Sequence, residues 1–182
     1  MVDVRVDRRV LAAGSAAVAA VSLAILPWPA AALSTLLGAL MIAGADVDAR
    51  TFLLPDWVTL GALACGMAAA AIVEPFSPWL ALGAAAARAA VTAGVLWALR
   101  LAYLKLSGIE GLGRGDIKLG AAVGAWLPAE LIPICFGVAT AAALAFAAVA
   151  HLRGRTMART TRLPLGAFLC PALWLVFFGS VL

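Results

Sequence analysis

Charge is scarce in this chain of 182 residues: 12% of them are Asp, Glu, Lys or Arg, and histidine occurs once, as His151. Soluble domains carry roughly twice that charge and are about half apolar, whereas here 65% of residues are hydrophobic and the mean hydropathy is +1.09. Most of the chain must therefore sit in lipid, which leaves no room for a separate soluble domain. Cysteine is sparse and unpaired. Cys65, Cys135 and Cys170 each lie inside a different apolar run, without the spacing of a zinc site or the even count of a disulfide framework. They read as reduced packing residues, and neither a metal nor a cofactor is expected. The net charge of +4 forms no continuous basic patch. Its Lys and Arg residues fall in short segments between apolar runs, which points to the lipid bilayer as the partner and away from nucleic acid.

What fills the chain is apolar runs, at residues 10–26, 30–45, 57–73, 79–104, 117–127, 131–150 and 163–182. A helix needs about 20 apolar residues to cross a hydrocarbon core of about 30 Å. The expected fold is all-α: a polytopic integral membrane helical bundle of six to seven transmembrane or re-entrant segments, forming a single domain over 1–182. The run 117–127 is too short to span unless the glycine-rich segment before it already lies within the membrane boundary, which would make it half-buried or re-entrant. The first run, preceded by Arg5, Arg8 and Arg9 and followed by Ala30-Ala31-Ala32, also resembles a secretory signal, though its core is long for one.

Placing the N-terminus and the segments 46–56, 105–118 and 153–162 on one side gathers nearly all the Lys and Arg there, and the positive-inside rule makes that side cytoplasmic. The opposite connections, 27–29, 74–78 and 128–133, hold no Lys or Arg, and Trp28, Trp79 and Trp126 stand beside them as aromatic-belt residues would. Arg88 lies inside the fourth run. It is expected to snorkel or to pair with a neighbouring helix, because an Arg does not give up its proton for catalysis. His151, in a basic loop, reads as solvated.

A carboxylate near a membrane helix centre costs about 2.5 kcal/mol or more, yet two acidic clusters persist: Asp46, Asp48 and Asp56, and Glu110 with Asp116. The inferred topology puts both on one face, as two carboxylates sharing a water require. The second cluster reads Gly111-Leu112-Gly113-Arg114-Gly115-Asp116-Ile117-Lys118-Leu119. Its alternating glycines admit backbone conformations closed to other residues and let a peptide or a neighbouring helix come close. Asp116 then begins an apolar helix, whose dipole favours its charged form while burial opposes it. In a soluble protein such an Asp would read as a helix cap; at a membrane edge, with an acidic partner upstream, it reads as catalytic.

These residues resemble the bacterial type IV prepilin peptidases and their archaeal preflagellin relatives, a family of Gly-x-Gly-Asp aspartyl proteases. The stretch from Gly113 to Leu119, continuing to Gly124-Ala125-Trp126-Leu127, is similar to the family's second catalytic motif, and Asp48-Ala49-Arg50-Thr51-Phe52-Leu53-Leu54-Pro55 to its first. The family spacing from aspartate to proline selects Asp48 over Asp46 and Asp56, which read as surface or capping residues. Arg162-Leu163-Pro164-Leu165-Gly166-Ala167-Phe168-Leu169 is similar to its last conserved stretch. The resemblance runs from about residue 30 to the C-terminus and leaves 1–29 as an extra N-terminal span.

The resemblance implies an aspartic endopeptidase with Asp48 and Asp116 as catalytic residues, and with Gly113, Gly115, Lys118, Arg50 and Pro55 supporting the site or the substrate. The implied substrate is a prepilin-like protein with a basic leader and an apolar helix, cut at the cytoplasmic face of a bacterial or archaeal plasma membrane. Larger family members add an insertion with two Cys-x-x-Cys pairs and N-methyltransferase activity; with neither pair present, peptidase activity alone is expected. Two other readings remain. A presenilin-like or signal-peptide-peptidase-like protease would use Pro171-Ala172-Leu173, but Asp48 is not preceded by Tyr inside an apolar span. A transporter or pilus-assembly subunit would spread its carboxylates through the membrane depth, whereas these gather at one edge.

Overall fold

Prolines and glycines punctuate the apolar runs, and the computed structural model, which describes residues 6–108, 111–153 and 164–182, resolves the runs into seven helices. These are α1 (Arg8–Ile25), α2 (Ala30–Thr51), α3 (Asp56–Val73), α4 (Pro78–Ser107), α5 (Arg114–Trp126), α6 (Leu131–Leu152) and α7 (Leu165–Ser180). Five of them, α1 to α4 and α6, are long and apolar enough to cross a membrane, while α7 has 16 residues and α5 only 13. No strand occurs among the described residues. The chain is an all-α polytopic membrane bundle.

The helix ends follow from local chemistry. Pro55 and Pro164 stand at the N-caps of α3 and α7, and Pro78 in the first turn of α4, positions where a missing N–H costs nothing. At the end of α4, Gly108 takes a left-handed conformation (φ 68°) and donates its N–H to the Leu104 carbonyl at 2.9 Å. Phe52 closes α2 the same way, with φ 55° and its N–H on the Asp48 carbonyl; a side chain there costs about 1 kcal/mol or more relative to glycine. Residues 46–56, a connecting stretch by hydropathy, are therefore helical as far as Thr51. Their polar side chains hid a helix that the backbone continues.

α2 packs against α1, α3 and α7, and α5 against α3, α4 and α7. Leu37 and Met41 of α2, Val58 of α3, Leu119 and Val123 of α5, and Leu169 and Leu173 of α7 form the fully buried core. The Ser22 and Ser34 hydroxyls lie 2.9 Å apart, and the Trp174 indole N–H donates to Ser34 at 3.1 Å. This polar contact fastens α1, α2 and α7, as small hydroxyl residues do between membrane helices. Trp28 and Trp79 are 78% and 82% exposed, as belt residues should be. Trp126 is not: it is buried, donates its indole N–H to the Ala62 carbonyl at 2.7 Å and meets Phe177 edge-on. Gly66 provides the space, since a Cβ there would lie 2.7 Å from the Trp126 ring. An interior partner for the N–H removes the reason to seek the interface.

Candidate active site

Asp48 lies in the last turn of α2 and is buried. A buried carboxylate needs donors, and the start of α7 supplies them. The first N–H groups of a helix have no partner within it, and that of Ala167, in the first turn of α7, donates to Asp48 Oδ2 at 2.8 Å. The preceding residue must be small for the two elements to approach. A Cβ on Gly166 would stand 2.8 Å from Asp48 Oδ2 and 2.7 Å from Leu54 Cδ1.

Asp116 occupies the first turn of α5, a helix too short to span the membrane. Its Oδ2 accepts the Gly113 N–H at 3.2 Å, the reach-back of a capping residue. Burial first and the charge of Asp48 second push its carboxyl up to about 6, against the lowering pull of the Gly113 amide. The two carboxyls thus stand within electrostatic reach although they come from different helices. Leu54, between α2 and α3, is the wedge that sets their surroundings: its side chain packs on Gly166, and its Cβ would lie 3.0 Å from a Cβ on Gly115.

The other expected residues divide. Gly113 and Gly115 stand beside Asp116, but not for the sake of backbone freedom. Gly113 has φ −71°, and Gly108 is the only glycine with positive φ among the described residues. What Gly111, Gly113 and Gly115 provide is space, against Tyr103, Asp116 Oδ2 and Leu54 respectively. Pro55 is buried at the head of α3, its carbonyl accepting from Val58 and Thr59. Lys118 pairs with Asp56 at 2.6 Å, and Arg50 with Asp46, one helical turn back. Asp46 also accepts the Asp7 N–H, tying the start of α1 to this end of the bundle. Glu110, Arg162 and Leu163 fall outside the described residues. His151 is exposed in the last turn of α6.

Residue-type reasoning assigned no role to Leu54, Gly166 or Ala167, although two of them lie in the recognised 162–169 stretch. Their contribution is a backbone amide and an absent side chain; the only sequence signal is a proline followed by a glycine where an apolar helix begins. Among the described residues, no three His, Cys, Asp or Glu side chains gather into a group able to hold a metal.

The chain matches the type IV leader peptidase family over residues 35–148, a stretch that contains both aspartates. It is similar to the prepilin leader peptidase/N-methyltransferase of Burkholderia pseudomallei strain 1026b, 38% identical over 168 residues covering 91% of this chain and 53% of that protein. The protein of the same name from Xanthomonas campestris pv. campestris is 35% identical over 150 residues, 78% of this chain and 48% of that one. That from Dickeya chrysanthemi is 43% identical over 103 residues, 54% of this chain and 35% of that one. The chain spans about half the length of the first two relatives. No solved structure matches it. By the extent of the family match and the identity to these relatives, the chain belongs to the type IV leader peptidase family.

Proposed function

We propose that this chain is an aspartic endopeptidase that removes the basic leader from prepilin-like precursors at the cytoplasmic face of the membrane, with Asp48 and Asp116 sharing one catalytic water. The observation that carries this reading is the pairing of two carboxyls from separate helices at one end of the bundle, each held by a helix-start amide and one raised by burial and by the other's charge. Two such groups do not both ionise readily, so the pair holds a single proton and titrates as a unit. The Ala167 amide holds Asp48 Oδ2 at 2.8 Å, closer than the Gly113 amide holds Asp116 Oδ2 at 3.2 Å, and the closer donor favours the charged form of Asp48 and leaves the proton on Asp116. Asp48, whose oxygen already acts as an acceptor toward α7, is the base.

In this scheme Asp48 takes a proton from the water as its oxygen attacks the scissile carbonyl carbon, while Asp116 gives its proton to the carbonyl oxygen. The tetrahedral intermediate then collapses, the C–N bond breaks, and the leaving nitrogen takes up the proton held by Asp48. In this reading the side-chain-free backbone of Gly113 and Gly115 offers hydrogen-bonding groups to an extended substrate segment, and the basic leader lies at the water-facing end of the bundle.

The test is cleavage of a co-expressed prepilin by the wild type, Asp48→Asn and Asp116→Asn at equal membrane levels. Each substitution alone should reduce cleavage by several orders of magnitude. Near-normal activity in either variant refutes the shared-water pair.

A further inference from the structure

Arg88 is the charge that this chemistry leaves unused. It lies in α4 about 15 Å along the axis from Pro78, near the middle of a hydrocarbon core of about 30 Å. A guanidinium at that depth marks a role by default. Its Nε donates to the Gly124 carbonyl oxygen of α5 at 3.2 Å. The helices touch there because residue 124 is glycine: a Cβ would lie 2.5 Å from the Arg88 carbonyl oxygen and 2.8 Å from the Ala89 Cα. Thr92 secures the same turn of α4, its hydroxyl donating to the Arg88 carbonyl at 2.8 Å.

The Gly124 carbonyl is no ordinary helix acceptor. In an uninterrupted helix it would receive the N–H of residue 128, but that residue is Pro128 and has none. The last available backbone donor, the Leu127 N–H, is taken by the Val123 carbonyl at 3.0 Å. α5 therefore ends inside the bundle on a carbonyl that its own backbone cannot satisfy, and an unsatisfied group in a membrane interior is expensive. Arg88 supplies the missing donor and also places a cation at the negative end of the α5 dipole.

We propose that Arg88 is the C-terminal clasp of α5, replacing the hydrogen bond that Pro128 removes, and that it is thereby a positioning residue that fixes where Asp116, at the other end of this 13-residue helix, stands relative to Asp48. The clasp rests on geometry alone, whereas its effect on catalysis rests on the proposed peptidase reading.

The test uses the full-length protein and four forms: wild type, Arg88→Met, Pro128→Ala, and the two changes combined. An alanine at 128 brings back the N–H that the Gly124 carbonyl lacks and lifts the restriction proline places on residue 127. Arg88→Met should lower the melting temperature in detergent by several degrees and lower kcat on a prepilin about tenfold or more at near-constant KM. Pro128→Ala in the Arg88→Met background should restore both. An Arg88→Met protein with unchanged melting temperature, or one that Pro128→Ala does not rescue, overturns the clasp, and an unchanged kcat overturns the positioning role. If Arg88→Met fails to accumulate, accumulation of the combined variant at the wild-type level supports the clasp and its absence refutes it. Should the wild type cut no prepilin, the peptidase reading fails by itself while the melting temperatures still decide the clasp.

Discussion

Asp116→Asn should make this protein more stable at alkaline pH while abolishing its proposed activity. In the folded chain the Asp116 carboxyl is pushed up to about 6, against 3.8 for an unperturbed aspartate, because it is largely removed from water and within electrostatic reach of Asp48. The native state therefore keeps this proton to a higher pH than the unfolded chain does. Below about pH 3.8 both states are protonated and the residue imposes no cost; stability falls as pH rises toward 6, and above that the whole penalty is present. At about 1.36 kcal/mol per pH unit the gap corresponds to about 3 kcal/mol at most, and partial solvent contact screens it to about 1–3 kcal/mol. Asparagine removes the charge and can still accept the Gly113 N–H, so the cap survives. For a chain of this size the gain is about 3–9 °C in melting temperature. Thermal unfolding of both proteins in the same detergent at pH 8 and pH 4.5 measures it. The variant should melt higher at pH 8, with the gap shrinking markedly at pH 4.5. Equal melting temperatures at pH 8 would refute the burial and repulsion described here, and a gain of the same size at both pH values would trace it to packing rather than charge.

The same ionisation sets the activity profile. The logarithm of kcat/KM for prepilin cleavage should fall with an alkaline limb near 6 as the shared proton is lost from the free enzyme; a profile flat from pH 5 to 8 would disprove the one-proton scheme. Gly166→Ala is the second test. Its Cβ would stand 2.8 Å from Asp48 Oδ2, so the bond to the Ala167 amide must open or Asp48 must move. Cleavage should drop more than about tenfold in protein that still folds, and normal cleavage would show that α7 does not hold the carboxylate.

Apolar run length made the helix number and the all-α class legible, because in lipid a backbone has few other ways to satisfy itself. What hydropathy misplaced were polar residues inside helices and apolar ones with a buried partner. Asp46, Asp48 and Arg50 read as a loop, but in the last turns of α2 they find Asp7, the α7 amide and each other, so the helix continues beneath them. Trp126 read as an interface residue because its indole N–H needs an acceptor, and no count of apolar residues shows that Ala62 of α3 offers one. Of the two reasons the alternating glycines suggested, close approach holds and backbone freedom does not: Tyr103 of α4 and Leu54 of the α2–α3 connection come close around them. Backbone donors were the least legible part. The Ala167 amide matters through where α7 begins, which residue type does not encode.

Asp48 shows why three helix ends meet at this site. A carboxylate in the last turn of a helix faces the negative end of that helix's dipole, an unfavourable position. α2 alone would not hold one there buried. The start of α7 reverses the local field, bringing an unpartnered N–H to 2.8 Å from Oδ2, and Gly166 lets it come that near. Asp116 sits the opposite way, at the favourable N-terminal end of α5, and is opposed instead by burial and by Asp48. One carboxylate thus depends on a neighbouring helix for its donor, while the other has its own helix's support and is pushed toward the neutral form by burial and by its neighbour. Two identical side chains thereby stand in different surroundings, the asymmetry on which the proposed division into acid and base rests.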